Sequence, residues 1–351
     1  MKISHAIEKI IMSNFRDGDI IVTSENFVFY AFGHAYPPNR VTAYLKYIPK
    51  YLKHLFPLDF QKTEWKIEDQ KLTRPMSLYS PENFKKIIET FQKHFPEFLY
   101  SCPYTGRTII AIPMKRVKRV YRPQDSLKRL LQERHLSSLE GLALKLIKLL
   151  SKTSNVPLED FGIHGSIAMG IFSRFSDIDI AIFGGNNFLQ VKKGVENLVK
   201  NGFVQYFFEE KADEFRMNKG KFEETKFVFN AIRKEEEIFE KYGQYIYQPT
   251  KRLNFICKIF EDGESNFKPA VYGIMEYEPL NADSILNSFE MPFELVSMNS
   301  QYRGIAKRGQ VLKALGMHEK VINTKDNSIK YRVVVGSIGA TLEEYLWPVI
   351  S

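Results

Sequence analysis

Two short stretches carry the residues best suited to chemistry. Gly165-Ser166 closes an apolar run, FGIHG (161–165), and after a spacer of ten residues Asp177-Ile178-Asp179 opens another, DIDIAIFGG (177–185). On a strand, residues i and i+2 point to one face, so the two carboxylates project together. Like charges that close repel, and the pair is stable only with a cation or a proton between them. Magnesium, or manganese in its place, meets that need with oxygen ligands, one or two carboxylates and substrate phosphates. A Gly-Ser turn lets backbone approach phosphates and offers free N–H groups at a helix start. Two metals on such a pair would favour in-line phosphoryl displacement. An ordinary solvated strand end explains Asp-x-Asp as well; the paired Gly-Ser turn favours the chemical reading.

The elements that must position these residues follow from periodicity. FGIHG reads as a strand, SIAMG as a helix start, DIDIAIFGG as a strand and 186–202 as a helix stopped at Gly202. FVQYFFEE (203–210) reads as a weak strand, AIRKEEEIFEKYG (231–243) as a helix and RLNFICKIFED (252–262) as a buried strand.

HGSIAMGIFSRFSDIDIAIFG resembles the signature of the DNA polymerase β-like nucleotidyltransferase superfamily: Gly-Ser, a spacer of this length, then Asp-x-Asp on an apolar strand, with Ser176 before Asp177. The resemblance covers about 160–260. It implies a small mixed sheet backed by helices, and transfer of a nucleoside monophosphate from an NTP such as ATP to a hydroxyl, with release of pyrophosphate. Gly165 and Ser166 would hold the triphosphate, and Asp177 and Asp179 the metal. Active members carry a third carboxylate on a later strand. The strand expected to supply it, KRLNFIC, has Asn254 at its central polar position. An amide takes no proton from a hydroxyl and binds metal weakly. Either another acid serves, with Glu209, Glu210, Glu261 and Asp262 the candidates by position, or the chemistry is impaired. His164, beside the turn, has no nucleophile to pair with and reads as a packed strand-end residue.

Charge points to anionic partners. Fifty Lys and Arg against 41 Asp and Glu give +9. Residues 115–134 hold eight basic residues and two acids, with Lys115, Arg116, Lys118, Arg119 and Arg122 beside Tyr121. That cluster is a candidate nucleic-acid contact, or a solvated face. Two cysteines, Cys102 and Cys257, are too few for a disulfide framework or a structural zinc site. No apolar stretch suits a membrane span, and the N-terminus lacks a secretory pattern. The expectation is a soluble cytoplasmic protein without membrane contact.

The expected architecture is a multidomain α+β chain. Residues 1–120 form an N-terminal α/β domain, with strands at 19–33, 40–48 and 107–113 and a helix from Ser80-Pro81 to His94. Residues 121–154 form a helical connector starting at Pro123, with a Ser137/Glu140 capping box. Residues 155–265 form the nucleotidyltransferase-like mixed sheet, and 266–351 a β-rich domain. That last part holds GQVLKALGM, EKVINTK and SIKYRVVVGS, an Asp326-Asn327 turn, and a terminal helix capped at Thr341 and containing Trp347. The functional expectation is a nucleotidyltransferase with an RNA end as acceptor. Its alternatives are a degenerate module that binds nucleotide or nucleic acid, and a transferase that modifies a partner protein.

Overall fold

The computed structural model describes residues 15–78, 80–336 and 344–349. It is a multidomain, mixed α+β structure built on three sheets, one for each third of the chain.

The first sheet holds β1 (Ile20–Thr23), β2 (Val28–Ala31), β3 (Arg40–Pro49), β4 (Trp65–Ile67), β5 (Gln70–Thr73), β6 (Leu99–Cys102), β7 (Arg107–Pro113) and β8 (Val117–Tyr121). The run 19–33 is a hairpin rather than one strand, because Asn26 takes φ 66° and turns β1 back on β2. Alternation along β2 buries both faces of this sheet. Phe27 and Phe29 point to a cluster with Phe91 and Phe98, beneath α1 (Pro81–His94). Val28 and Tyr30 point the other way, into a core shared with the central domain. Ser80 caps α1 through the Asn83 N–H, with Pro81 in its first turn, as the sequence predicts.

The connector helices α2 (Pro123–Gln132) and α3 (Ser138–Ser154) pack on the central domain. The predicted capping box is present, Ser137 Oγ accepting from the Glu140 N–H. α2 lies so close to the central sheet that a β-carbon at Gly162 would meet Pro123 at 2.6 Å.

The central sheet has the order β11-β12-β13-β10-β9: β9 (Phe161–Ile163), β10 (Ile178–Phe183), β11 (Gln205–Tyr206), β12 (Lys219–Phe222) and β13 (Thr225–Ile232). Here β10 and β13 run parallel, with β9 antiparallel on the far side of β10. The helices α4 (Gly165–Met169), α5 (Gly185–Lys200) and α6 (Lys211–Arg216) complete it. The helix expected over 231–243 is absent. Ile232 ends β13, and the polar residues beyond it bind outward: Lys234 pairs with Asp160 at 2.8 Å and Glu237 accepts from the Gly185 N–H. Those tertiary bonds replace the i, i+4 pairs a helix would use.

The third sheet contains β14 (Tyr245–Glu261), β15 (Ala270–Pro279), β16 (Glu294–Ser297), β17 (Val311–Asn323), β18 (Ile329–Val335) and β19 (Tyr345–Pro348). Its order is β14-β15-β16-β18-β17-β19, and β17 also pairs along β14, so five strands close into a barrel. Leu253, Phe255, Ile259, Tyr272 and Leu312 fill its interior. The predicted strands at 309–323 fuse into the single strand β17, and Asn327 turns it into β18 with φ 59°. Trp347 lies on β19, not on a helix, and the cap at Thr341 falls outside the described residues. β14 belongs to this barrel, so the central sheet ends at Ile232 and not near 265.

Candidate nucleotide and metal site

Gly165, Ser166, Asp177 and Asp179 meet at one end of the central sheet. β9 runs into the turn at His164, whose N–H donates to the Asp179 carbonyl at 2.9 Å and carries the β9–β10 pairing one residue further. Gly165 then takes φ +65° and starts α4. A β-carbon on Gly165 would lie 1.9 Å from Asp179 Oδ2, so only glycine fits against this carboxylate. α4 is five residues long, so the N–H groups of its first turn matter more than any helix dipole. Asp179 is half-buried on β10 and pairs with Val228 of β13, whereas Asp177 is exposed just before the strand.

The two carboxylates feel different fields. Burial raises Asp179 above the usual carboxylate range and the charge of Asp177 adds to this, against the pull of Lys46, Arg74 and Lys268. Asp177 is also raised, by burial and by Glu209, and drawn down by Lys226 and Lys219. A divalent cation between them would relieve this repulsion. The pair therefore fits a cation on charge and donor type, although no group of three or more His, Cys, Asp or Glu able to hold a metal occurs among the described residues.

The third acid is not where the strand pattern placed it. Asn254 lies in the barrel on β14, opposite Leu315, and accepts from the Tyr345 hydroxyl at 3.0 Å. The strand beside β10 is β13, whose Lys226, Val228 and Asn230 alternate on the face shared with Asp179. Of the four acids expected by position, Glu209 bears on Asp177 but is paired with Lys226 at 2.9 Å and Lys219 at 3.5 Å. Glu210 caps α6, and Glu261 accepts from the Gly263 N–H. Asp262 acts on Lys192, away from the pair.

His164 behaves as a packed residue. Its ring stands edge-on to Tyr30, with centroids 4.7 Å apart. Burial, with the charges of Lys268 and Lys46, pushes it down to about 3, so it is neutral at physiological pH.

The basic segment is largely neutralised by acids of its own domain. Arg116 pairs with Glu25 and Glu97, Lys118 and Arg119 share Glu68, and Arg122 reaches Asp19 and Asp125 at 4.0 Å. Lys115 is exposed beside them. The cations that act on Asp179 are Lys46, Arg74 and Lys268, from the first sheet and the barrel, while Lys226 and Lys219 of the central sheet act on Asp177. One signal in the sequence pointed to Lys46. It is the one charge beyond the first residue, Arg40, of the otherwise uncharged strand RVTAYLKYI, where alternation places it with Tyr44.

Along most of its length the chain is similar to an uncharacterized protein, MJ1086, of Methanocaldococcus jannaschii. The two are 26% identical over 354 residues, spanning 93% of this chain and 97% of the relative. The chain matches no protein-family model and no solved structure. No helix among the described residues is long and apolar enough to cross a membrane.

Proposed function

We propose that the chain is a nucleotidyltransferase, transferring a nucleoside monophosphate from an NTP to a hydroxyl acceptor with a divalent metal. The observation that carries this reading is the seating of the Gly165-Ser166 turn against the Asp179 carboxylate, with Asp177 two residues away at the mouth of β10. In this reading Gly165 allows phosphates to approach the backbone, and Ser166 offers an N–H and a hydroxyl to them. Asp177 and Asp179 would hold Mg2+ or Mn2+, which supplies charge neutralisation on the phosphates. The resemblance of 160–185 to the DNA polymerase β-like superfamily supports the same assignment. An RNA end is our favoured acceptor, on the basic balance of the chain. Two free, buried cysteines suit a reducing cytoplasm.

The face of β13 favours a second reading. Lys226, Val228 and Asn230 stand beside the Asp pair, where a third carboxylate would complete a general base and metal ligand. With none there, the domain would bind nucleotide or nucleic acid without transferring it.

One experiment separates these readings. The protein is incubated with each α-³²P NTP, Mg2+ or Mn2+, and total RNA, beside Asp177→Ala/Asp179→Ala. Label on RNA that the variant loses establishes the transferase, and label on polypeptide moves the acceptor to protein. Metal-dependent NTP binding without transfer establishes the binding module.

A further inference from the structure

The position across from Asp177 is held by a lysine. Ile178 pairs with Phe227 and Asp179 with Val228, so the parallel register brings Lys226 of β13 level with Asp177 at the mouth of β10. Ile178 and Phe227 both point into the core, which turns Asp177, Asp179, Lys226 and Val228 to the other face.

Lys226 is fixed there by its neighbours. Its ammonium pairs with Glu209 at 2.9 Å and stands 4.3 Å from the centroid of the Phe207 ring. Lys221, directly across on β12, approaches the same ring at 5.2 Å. Glu209 is shared with Lys219 of β12 at 3.5 Å, and Lys219 is anchored on Asp213 of α6 at 2.9 Å. Asp213, 1% exposed, also accepts from the Glu209 and Glu210 N–H groups at 3.1 Å and 3.2 Å, which pins the segment that carries Glu209. Signs therefore alternate from buried Asp213 through Lys219 and Glu209 to Lys226, and on to Asp177.

The last link acts through space. The bond to Glu209 lifts Lys226 above the ordinary lysine range and the charge of Asp177 adds to it, while Lys226 draws Asp177 down against burial. Among the described residues no third His, Cys, Asp or Glu joins the Asp pair in a metal-binding group. Two carboxylates carry two charges, which one divalent ion balances. A fixed ammonium beside Asp177 then repels a second ion instead of helping to hold it.

We infer that Lys226 is a tethered cation standing where a second metal ion would bind, so that Asp177 and Asp179 take a single divalent ion. The ion-pair chain from Asp213 is what keeps the ammonium in that place. The inference rests on the reading of the Asp pair as a cation site, but not on transfer of a nucleotide.

The test titrates Mn2+ into the full chain at low salt and without nucleotide, following the free ion by electron paramagnetic resonance. The wild-type chain binds one Mn2+, and Asp177→Asn/Asp179→Asn loses it. Lys226→Met binds Mn2+ at least about tenfold more tightly, because a like charge has left the site. Lys226→Arg keeps wild-type binding, and Lys145→Met, which removes an exposed lysine paired with Glu223, changes nothing. Methionine preserves the contact with Phe207, so thermal melts show Lys226→Met folded. Two ions on the wild-type chain that both depend on the Asp pair, equal affinity in Lys226→Met, or an arginine variant that binds like the methionine one overturns the inference. Absence of Mn2+ binding from both the wild type and Lys226→Met overturns it too. Binding that responds to Lys226 in this way, in a chain that transfers no labelled nucleotide, upholds the tethered cation and counts against the transferase reading alone.

Discussion

The α-carbon of Gly165 lies against the carboxylate of Asp179, so close that a β-carbon would stand 1.9 Å from Oδ2. A turn residue and a strand residue fourteen positions apart thus define one point in space. Gly165→Ala meets both this overlap and the cost of a positive φ of 65°. Such a change destabilises by more than about 1 kcal/mol. Urea melts should show that loss, and metal-dependent ATP binding should fall with it. Wild-type stability in the alanine variant would mean that the turn relaxes freely.

Asp177 and Asp179 should agree in metal response. Asp179 is half-buried, and burial with the charge of Asp177 disfavours its ionised form more than Lys46, Arg74 and Lys268 favour it. Asp179→Asn therefore removes that cost and holds or raises Tm near neutral pH. Asp177 is exposed, and Asp177→Asn should leave Tm within about 0.5 kcal/mol of equivalent stability. Manganese should raise the wild-type Tm by mass action, and neither variant should respond. A manganese shift retained by both variants would place the cation elsewhere.

Glu319 joins the barrel to the first sheet. It is 1% exposed and accepts from Arg107 of β7 at 3.0 Å and from Arg332 of β18 at 2.9 Å and 3.0 Å. Glu319→Ala leaves two arginines facing each other without a counter-charge, at a cost of about 3–5 kcal/mol. Chemical denaturation of the variant measures it. A loss under about 1 kcal/mol would mean that water replaces the carboxylate.

Asp19 sets a pH dependence of stability. It is 3% exposed, and burial pushes it up to about 7 despite the Arg16 N–H and the Arg122 and Arg16 charges. In an unfolded chain the same carboxyl ionises near ~3.9. Between those values the folded protein holds a proton that the unfolded chain has lost. Stability is therefore full below the lower value and declines as pH rises to the upper one, by at most about 1.4 kcal/mol per unit. Melts from pH 4 to 8 should show the decline, and Asp19→Asn should flatten it. An unchanged slope would mean that Asp19 is ionised in the fold.

Local signals fixed much of this protein in advance. Ser80-Pro81 and the Ser137/Glu140 box start helices because a cap satisfies its own backbone N–H groups within one turn. Alternation marked β3 because it is long enough to show a period of two, and the short apolar run 107–113 marked β7. The Gly-Ser turn and the Asp pair were legible for the same reason, since spacing along one strand–turn–strand unit needs no distant partner.

What the residues alone left open depends on partners far away in the chain. Residues 231–243 have helical composition, but Lys234 finds Asp160 and Glu237 finds the Gly185 N–H instead. β14 reads as a neighbour of β10, but its long pairing with β17 draws it into the barrel and takes Asn254 with it. The basic run at 115–122 promised a surface for anions, and Glu25, Glu68 and Glu97 neutralise much of it across the first sheet. Charge along a sequence is local, whereas an electrostatic field is summed over space, so only the tertiary structure could bring Lys46, Arg74 and Lys268 to bear on Asp179.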